Sequence, residues 1–191
     1  GLYINRQVDL KTGLFGTVEG GRIENLSLRD GNVKGNYVVG GIVGYAKGAV
    51  IRNVSYAGAV AGSNTIGGIV GEANGGSIQN AWNAGTVRGD ASVGGIVGRA
   101  KEGSTFQNVC NTGAVRGAVA QSGGIAGYIK NSRLQNVWNT GAVRGRQRVG
   151  GIVGEANGGS IRHAISKAGS AGQAVGASSN GADVTTDVKV A

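Results

Sequence analysis

The chain has 191 residues, of which 40 are glycine and one is cysteine, with no proline or methionine and a formal net charge of +9. The glycines follow no triplet period, which excludes a collagen-like triple helix, and 40 % apolar with 15 % charged residues is not the composition of a disordered chain. The lone Cys110 excludes an intrachain disulfide, and no apolar run reaches the roughly 18 residues that a membrane-spanning helix needs.

Missing proline suits a chain paired into sheets along most of its length, because proline has no N–H to give a ladder. The positive charge favours anionic partners without identifying one. A start without Met, inside a recognisable repeat, points to a piece of a longer protein. Residues 1–12 alternate well enough for a strand and read as the end of an incomplete first rung. A reduced run, Gly13-Leu14-Phe15-Gly16, follows. The full Gly-Gly-Ile-Val-Gly stands at 40–44, 67–71, 94–98 and 150–154, with Ala126 replacing Val in the copy at 123–127. The closing glycines 16, 44, 71, 98, 127 and 154 are 28, 27, 27, 29 and 27 residues apart, which is the mark of a repeat architecture.

After each copy and a variable turn comes Ile-x-Asn or its equivalent: Ile23 with Asn25, Ile51 with Asn53, Ile78 with Asn80, Phe106 with Asn108, Leu134 with Asn136. His163 takes the last place, after Ile161. A Gly-x-Val-x-Gly closes each period at 31–35, 58–62, 85–89, 113–117 and 141–145. A helix carrying this much glycine would lose about 1 kcal/mol per Gly relative to Ala, and the runs are rich in strand formers. The reading is all-β: a β-solenoid (β-helix) of about six coils of about 27 residues, with three short strands per coil stacked over a shared core. The repeats are assigned to 1–176. Gly169-Ser170-Ala171-Gly172 and Val175-Gly176 imitate the last part of a coil. Residues 177–191, with the run from Val184 to Val190, read as an atypical C-terminal cap or linker strand.

The motifs Gly-Leu-Tyr-Ile-Asn at the start, Gly-Leu-Phe-Gly at 13–16 and each Gly-Gly-Ile-Val-Gly with its Ile-x-Asn resemble the GLUG repeat, with Ile replacing Leu in most copies. GLUG repeats belong mainly to large bacterial surface and secreted proteins, among them filamentous-haemagglutinin-like adhesins and immunoglobulin A metallopeptidases. In those peptidases they lie outside the catalytic module. The resemblance implies an extracellular or surface-attached structural and adhesive module, and brings no catalytic residues to this chain.

The residues sort into columns, one position per coil. Asn25, Asn53, Asn80, Asn108 and Asn136 read as a structural ladder, each amide bonded to the next coil, as in cross-β stacks. Asn80→Ala is therefore expected to destabilise more than Asn83→Ala, since Asn83 lines up with Tyr56. The residue after each ladder Asn is always apolar and is the inward candidate. Trp82 and Trp138, one position further, fit either a broad core corner or an exposed aromatic binding face. Tyr45, Glu72, Arg99, Tyr128 and Glu155 read as an outward mixed ladder in which Glu72 and Arg99 pair. Lys34, Arg88, Arg116 and Arg144, with Ala61 in the second coil, form a basic column: a solvated charge face, or one in which Arg88, Arg116 and Arg144 bind an anionic ligand. The glycine clusters lack the helix and the Lys-Ser/Thr of a phosphate loop, and read as positive-φ corners or points of close coil approach.

The single His163 takes a place in the asparagine column and reads as a ladder substitute rather than a catalyst or metal ligand, so neither catalytic residue, metal nor cofactor is expected. The expected function is non-enzymatic: a stalk or adhesive segment of a bacterial cell-surface or secreted protein. Its partner would be a host or cell-surface glycan or protein, anionic ones included, rather than nucleic acid or a small-molecule substrate. Two alternatives remain, a non-catalytic repeat module of a secreted peptidase and an extracellular filament subunit that associates end to end.

Overall fold

The computed structural model describes residues 1–167, 173–184 and, for the backbone alone, 189–190. Among these residues every regular element is a β-strand, and the strands form 12-, 6- and 7-stranded sheets. A coil passes through the sheets in fixed order. After the glycine run at 67–71, Val70–Asn74 joins the 7-stranded sheet, here the glycine sheet. Ser77–Asn83 and Thr86–Gly89 then join the 12-stranded broad sheet, and Ser92–Gly94 the 6-stranded narrow sheet. The coils on either side lie parallel and in phase: Val97 of the next coil faces Val70, while Val54 and Ile66 of the preceding one face Ala81 and Val93.

This is the expected all-β solenoid with three sheets per coil, and two details differ from the sequence reading. The 7-stranded sheet gives about seven turns rather than about six. The extra turn is Val175–Ser179, which pairs with Val153–Asn157. The chain reaches it in fewer residues than other turns use, so no glycine run announces it. The three sheets also do not match the three apolar runs. Ile-x-Asn and Gly-x-Val-x-Gly belong to one sheet, and a single strand, Val50–Ala61, runs through both. The narrow sheet is built from short segments such as Thr65–Gly67, which merge in sequence with the glycine run after them.

Val175–Ser179 spans the domain boundary expected after residue 176. Asp183–Val184 pairs with Ser160 and Ile161, and Lys189–Val190 with Ile165 and Ser166. The coil imitation at 169–172 and residues 185–188 of the tail run lie outside the described residues.

The core is a set of columns, each filled by one position of every coil. Ile42, Ile69, Ile96, Ile125 and Ile152 are fully buried, as are Val33, Val87 and Val115; Ile51, Phe106, Leu134 and Ile161 fill a second corner. A column of like side chains buries apolar surface only when coils stack, so each turn depends on its neighbours.

The glycine run makes one corner of every coil. The amides of Ile69 and Val70 both donate to the Ile96 carbonyl, at 3.0 Å each, and Ile96 and Val97 do the same with Ile125. Coils approach so closely here that a Cβ on Gly94 would strike the Val97 carbonyl and lie 2.7 Å from the Gly127 nitrogen. These glycines are therefore sites of close approach. Positive φ is used elsewhere, at the corner between the glycine and broad sheets, by residues such as Gly48, Gly75 and Gly103.

Candidate functional site

The broad sheet positions most of the chemistry-bearing residues. Its strands turn at Asn25, Asn53, Asn80, Asn108 and Asn136, each with φ between 50 and 56°. Asparagine tolerates this left-handed conformation better than other chiral residues. His163 adopts it too, with φ 49°. The side chains form an amide ladder in which Asn53 donates to Asn25, Asn80 to Asn53, Asn108 to Asn80 and Asn136 to Asn108, at 2.9, 3.0, 3.2 and 3.1 Å. The ladder lies on the surface: the first four are exposed and Asn136 half-buried.

A second ladder, absent from the sequence reading, lies inside. Asn83, Asn111 and Asn139 are all fully buried. Asn83 donates to Asn111 and Asn111 to Asn139, both at 2.8 Å. Each also bonds the backbone two residues on, Asn83 accepting from the Gly85 amide and donating to its carbonyl at 3.0 Å. The glycine run makes room for them, since a Cβ on Gly68 would lie 2.6 Å from the Asn83 amide carbon. Tyr56 holds the same column one coil earlier, buried, with its hydroxyl donating to the Ala59 carbonyl at 3.0 Å. Burial pushes its phenol up to about 12. The signal that would have found this ladder is Asn-x-Gly, recurring at 83–85, 111–113 and 139–141.

Because the left-handed Asn flips the pleat, the residue after it points inward and the next points out. Trp82 and Trp138 are accordingly exposed, at 55 and 41 %. They flank Cys110 in register, and Ile165, at 48 %, extends the column. Cys110, between them in the column, is buried. Burial pushes its thiol up to about 11 against a hydrogen bond with Trp138 that lowers it. The thiol is thus protonated at neutral pH and a poor nucleophile.

Six residues beyond the Trp position, the same sheet carries the basic column. Lys34, Ala61, Arg88, Arg116 and Arg144 face one another in successive coils, and the four cations are exposed. On the glycine sheet, Tyr45, Glu72, Arg99, Tyr128 and Glu155 align as the mixed ladder. The expected Glu72–Arg99 pair is replaced by Glu72–Lys101 at 3.0 Å. Arg99 turns instead toward Ser92, at 3.4 Å, and lies 5.8 Å from the Tyr128 ring centre. Lysine two residues along the strand reaches Glu72 diagonally, as long side chains do across a sheet. Among the described residues no group of three or more His, Cys, Asp or Glu side chains is placed to hold a metal ion.

Fold and surface together define a parallel β-solenoid whose chemistry lies in outward ladders. A crystal structure described as a putative immunoglobulin A1 protease from Bacteroides ovatus has the same fold, with a TM-score of 0.76 at 21 % identity. The alignment takes in 98 % of this chain and 66 % of that one, so the chain spans just under two thirds of that structure's length. A scan against protein-family models and a search of curated proteins found no match.

Proposed function

We propose that the chain is a non-catalytic solenoid segment of a larger bacterial surface or secreted protein, and that the outer face of its broad sheet is adhesive. The GLUG-like motifs support this reading. The observation that carries it is the column of Trp82, Trp138 and Ile165, large apolar side chains set out on the face of a fully paired sheet. Such residues bury well against a sugar ring or an apolar protein surface, and Trp is the side chain most enriched at binding hot spots. The rigid ladder holds them at a fixed spacing, two coils or about 10 Å apart, so little ordering is needed on binding.

The test is binding of the chain to a glycan array and to immobilised mucin. The Trp82→Ala/Trp138→Ala variant is expected to bind about tenfold more weakly or worse. Equal binding by the variant, or no binding by the native chain, overturns the adhesive reading. The likeness in fold to the Bacteroides protein favours a second reading, in which the segment is a repeat module of a secreted peptidase. In both readings the segment itself does no chemistry, so immunoglobulin A1 incubated with it stays intact. Cleavage proportional to the amount of chain added overturns that part.

A further inference from the structure

We propose that the column of Lys34, Arg88, Arg116 and Arg144 binds a linear acidic polysaccharide laid along the solenoid axis, an inference that rests on the adhesive reading in taking the broad sheet's outer face as the contact surface. Several of the molecule's other cations are held by carboxylates. Arg52 reaches Glu24 one coil away at 2.9 Å, Lys101 reaches Glu72 at 3.0 Å, and Arg162 reaches Asp183 at 3.3 Å. Arg148, a few residues from Arg144, pairs with Glu155. These cations are thus offset by a nearby carboxylate. None of the ion pairs among the described residues includes a member of the basic column. Arg29, Lys47, Arg99, Lys130 and Arg133 are also outside ion pairs, but their register partners are not cations, whereas Arg88, Arg116 and Arg144 stand in register with one another.

Register makes this arrangement costly. Arg116 stands directly opposite both Arg88 and Arg144. Backbones of adjacent coils are about 4.8 Å apart, and like charges placed opposite one another on a sheet are destabilising. An anionic group between two guanidinium groups removes the repulsion and accepts from both forks. Since the column repeats with the coil, the ligand that satisfies it is itself a linear repeat of carboxylate or sulfate groups.

The surroundings favour a polysaccharide over single-stranded nucleic acid. Arg88 and Arg116 rise from a shallow trough lined by Ala61, Gly62, Gly117 and Ala118, with one carboxylate, Asp90, at its side. Among the described residues no aromatic side chain lines it, and single-strand binders rely on stacking platforms beside the basic track. The tryptophans belong to the other limb of the sheet, beyond the bend at Asn83 to Gly85.

Heparin serves as the acidic polysaccharide, dextran as the neutral one and an oligothymidylate as the nucleic acid, with affinities measured at about 50 and 300 mM salt. The expected result is binding of heparin in preference to both others, weakened at least about tenfold by the higher salt and about tenfold by Arg116→Ala, with Arg116→Lys in between. Equal or tighter binding of oligothymidylate, heparin binding indifferent to salt or to Arg116, or none at low salt overturns the proposal. Arg116 is exposed, and a melting temperature in Arg116→Ala no lower than that of the native chain excludes loss of fold as the cause. Failure here leaves the adhesive reading standing, because that reading is measured on surfaces with the tryptophan variant and not with Arg116.

Discussion

At the scale of single residues, two asparagine columns with the same chemistry have different weight because one is wet and the other dry. An exposed amide exchanges its ladder partner for water at little net cost, whereas a buried one left without a partner costs about 1 to 3 kcal/mol. Asn111 bonds both Asn139 and the Gly113 carbonyl at 2.8 Å, accepts from Asn83 and is inaccessible to solvent. Asn111→Ala strands the Asn83 amide and opens a gap beside Gly95, so a loss of about 3 kcal/mol is expected. Asn80→Ala loses an exposed bond and puts Ala at φ 50°, a cost of about 1 to 2 kcal/mol that Asn80→Gly largely restores. Denaturant unfolding of the three variants checks the order. Burial turns the expectation from sequence around: Asn83, buried in the column of Asn111, is expected to lose more on change to Ala than exposed Asn80, which adding Asn83→Ala to the series checks.

At the scale of the element, the strand's alternation explains what was legible and what was not. The period, the glycine corners, the all-β class and the recurring Ile-x-Asn stand in the sequence because every coil repeats them. The inward position of Leu26, Val54, Ala81, Val109 and Val137 followed from their constant apolarity. The buried amides two residues on were hidden, because asparagine is polar and the same column begins with Leu28 and Tyr56. Partner choice was hidden too, since Glu72 meets Lys101 by a diagonal that strand pairing alone does not single out. The glycine corner has the sharpest consequence. A methyl group on Gly94 meets backbone on two coils, which side-chain rearrangement cannot relieve. Gly94→Ala is expected to cost about 3 kcal/mol or more, the upper end of overpacking. Gly103→Ala meets nothing within 4 Å and is held only by its φ of 73°, for about 1 kcal/mol. Thermal melts of the two variants distinguish close approach from backbone conformation as the reason for glycine; equal losses would remove the close-approach argument.

At the scale of the whole molecule, about seven stacked turns make a rod roughly 34 Å long, in which each turn touches only its neighbours. Such an object should tolerate loss of a whole turn and not of half a turn. Deleting residues 72–98 joins Gly71 to Arg99, which already faces Glu72 in register. Each column then closes in phase: Gly68 meets Asn111 as Gly95 does now, Val70 stacks on Ala126, and Ala61 faces Arg116. The costs are local. Glu72 is lost as the partner of Lys101, which comes opposite Lys47, a surface repulsion worth about 0.5 kcal/mol. Removing residues 72–84 instead joins the glycine sheet directly to the second limb of the broad sheet, so the buried valines and the exposed arginines exchange neighbours. The expected outcome is a cooperative melt and an undiminished β-type circular dichroism signal per residue for the whole-turn deletion, with a sedimentation coefficient appropriate to a shorter rod. The half-turn deletion should show neither a cooperative melt nor the full β signal. Equal unfolding of both proteins would mean that the turns are not interchangeable units, and would overturn the stacking argument on which both ladders depend.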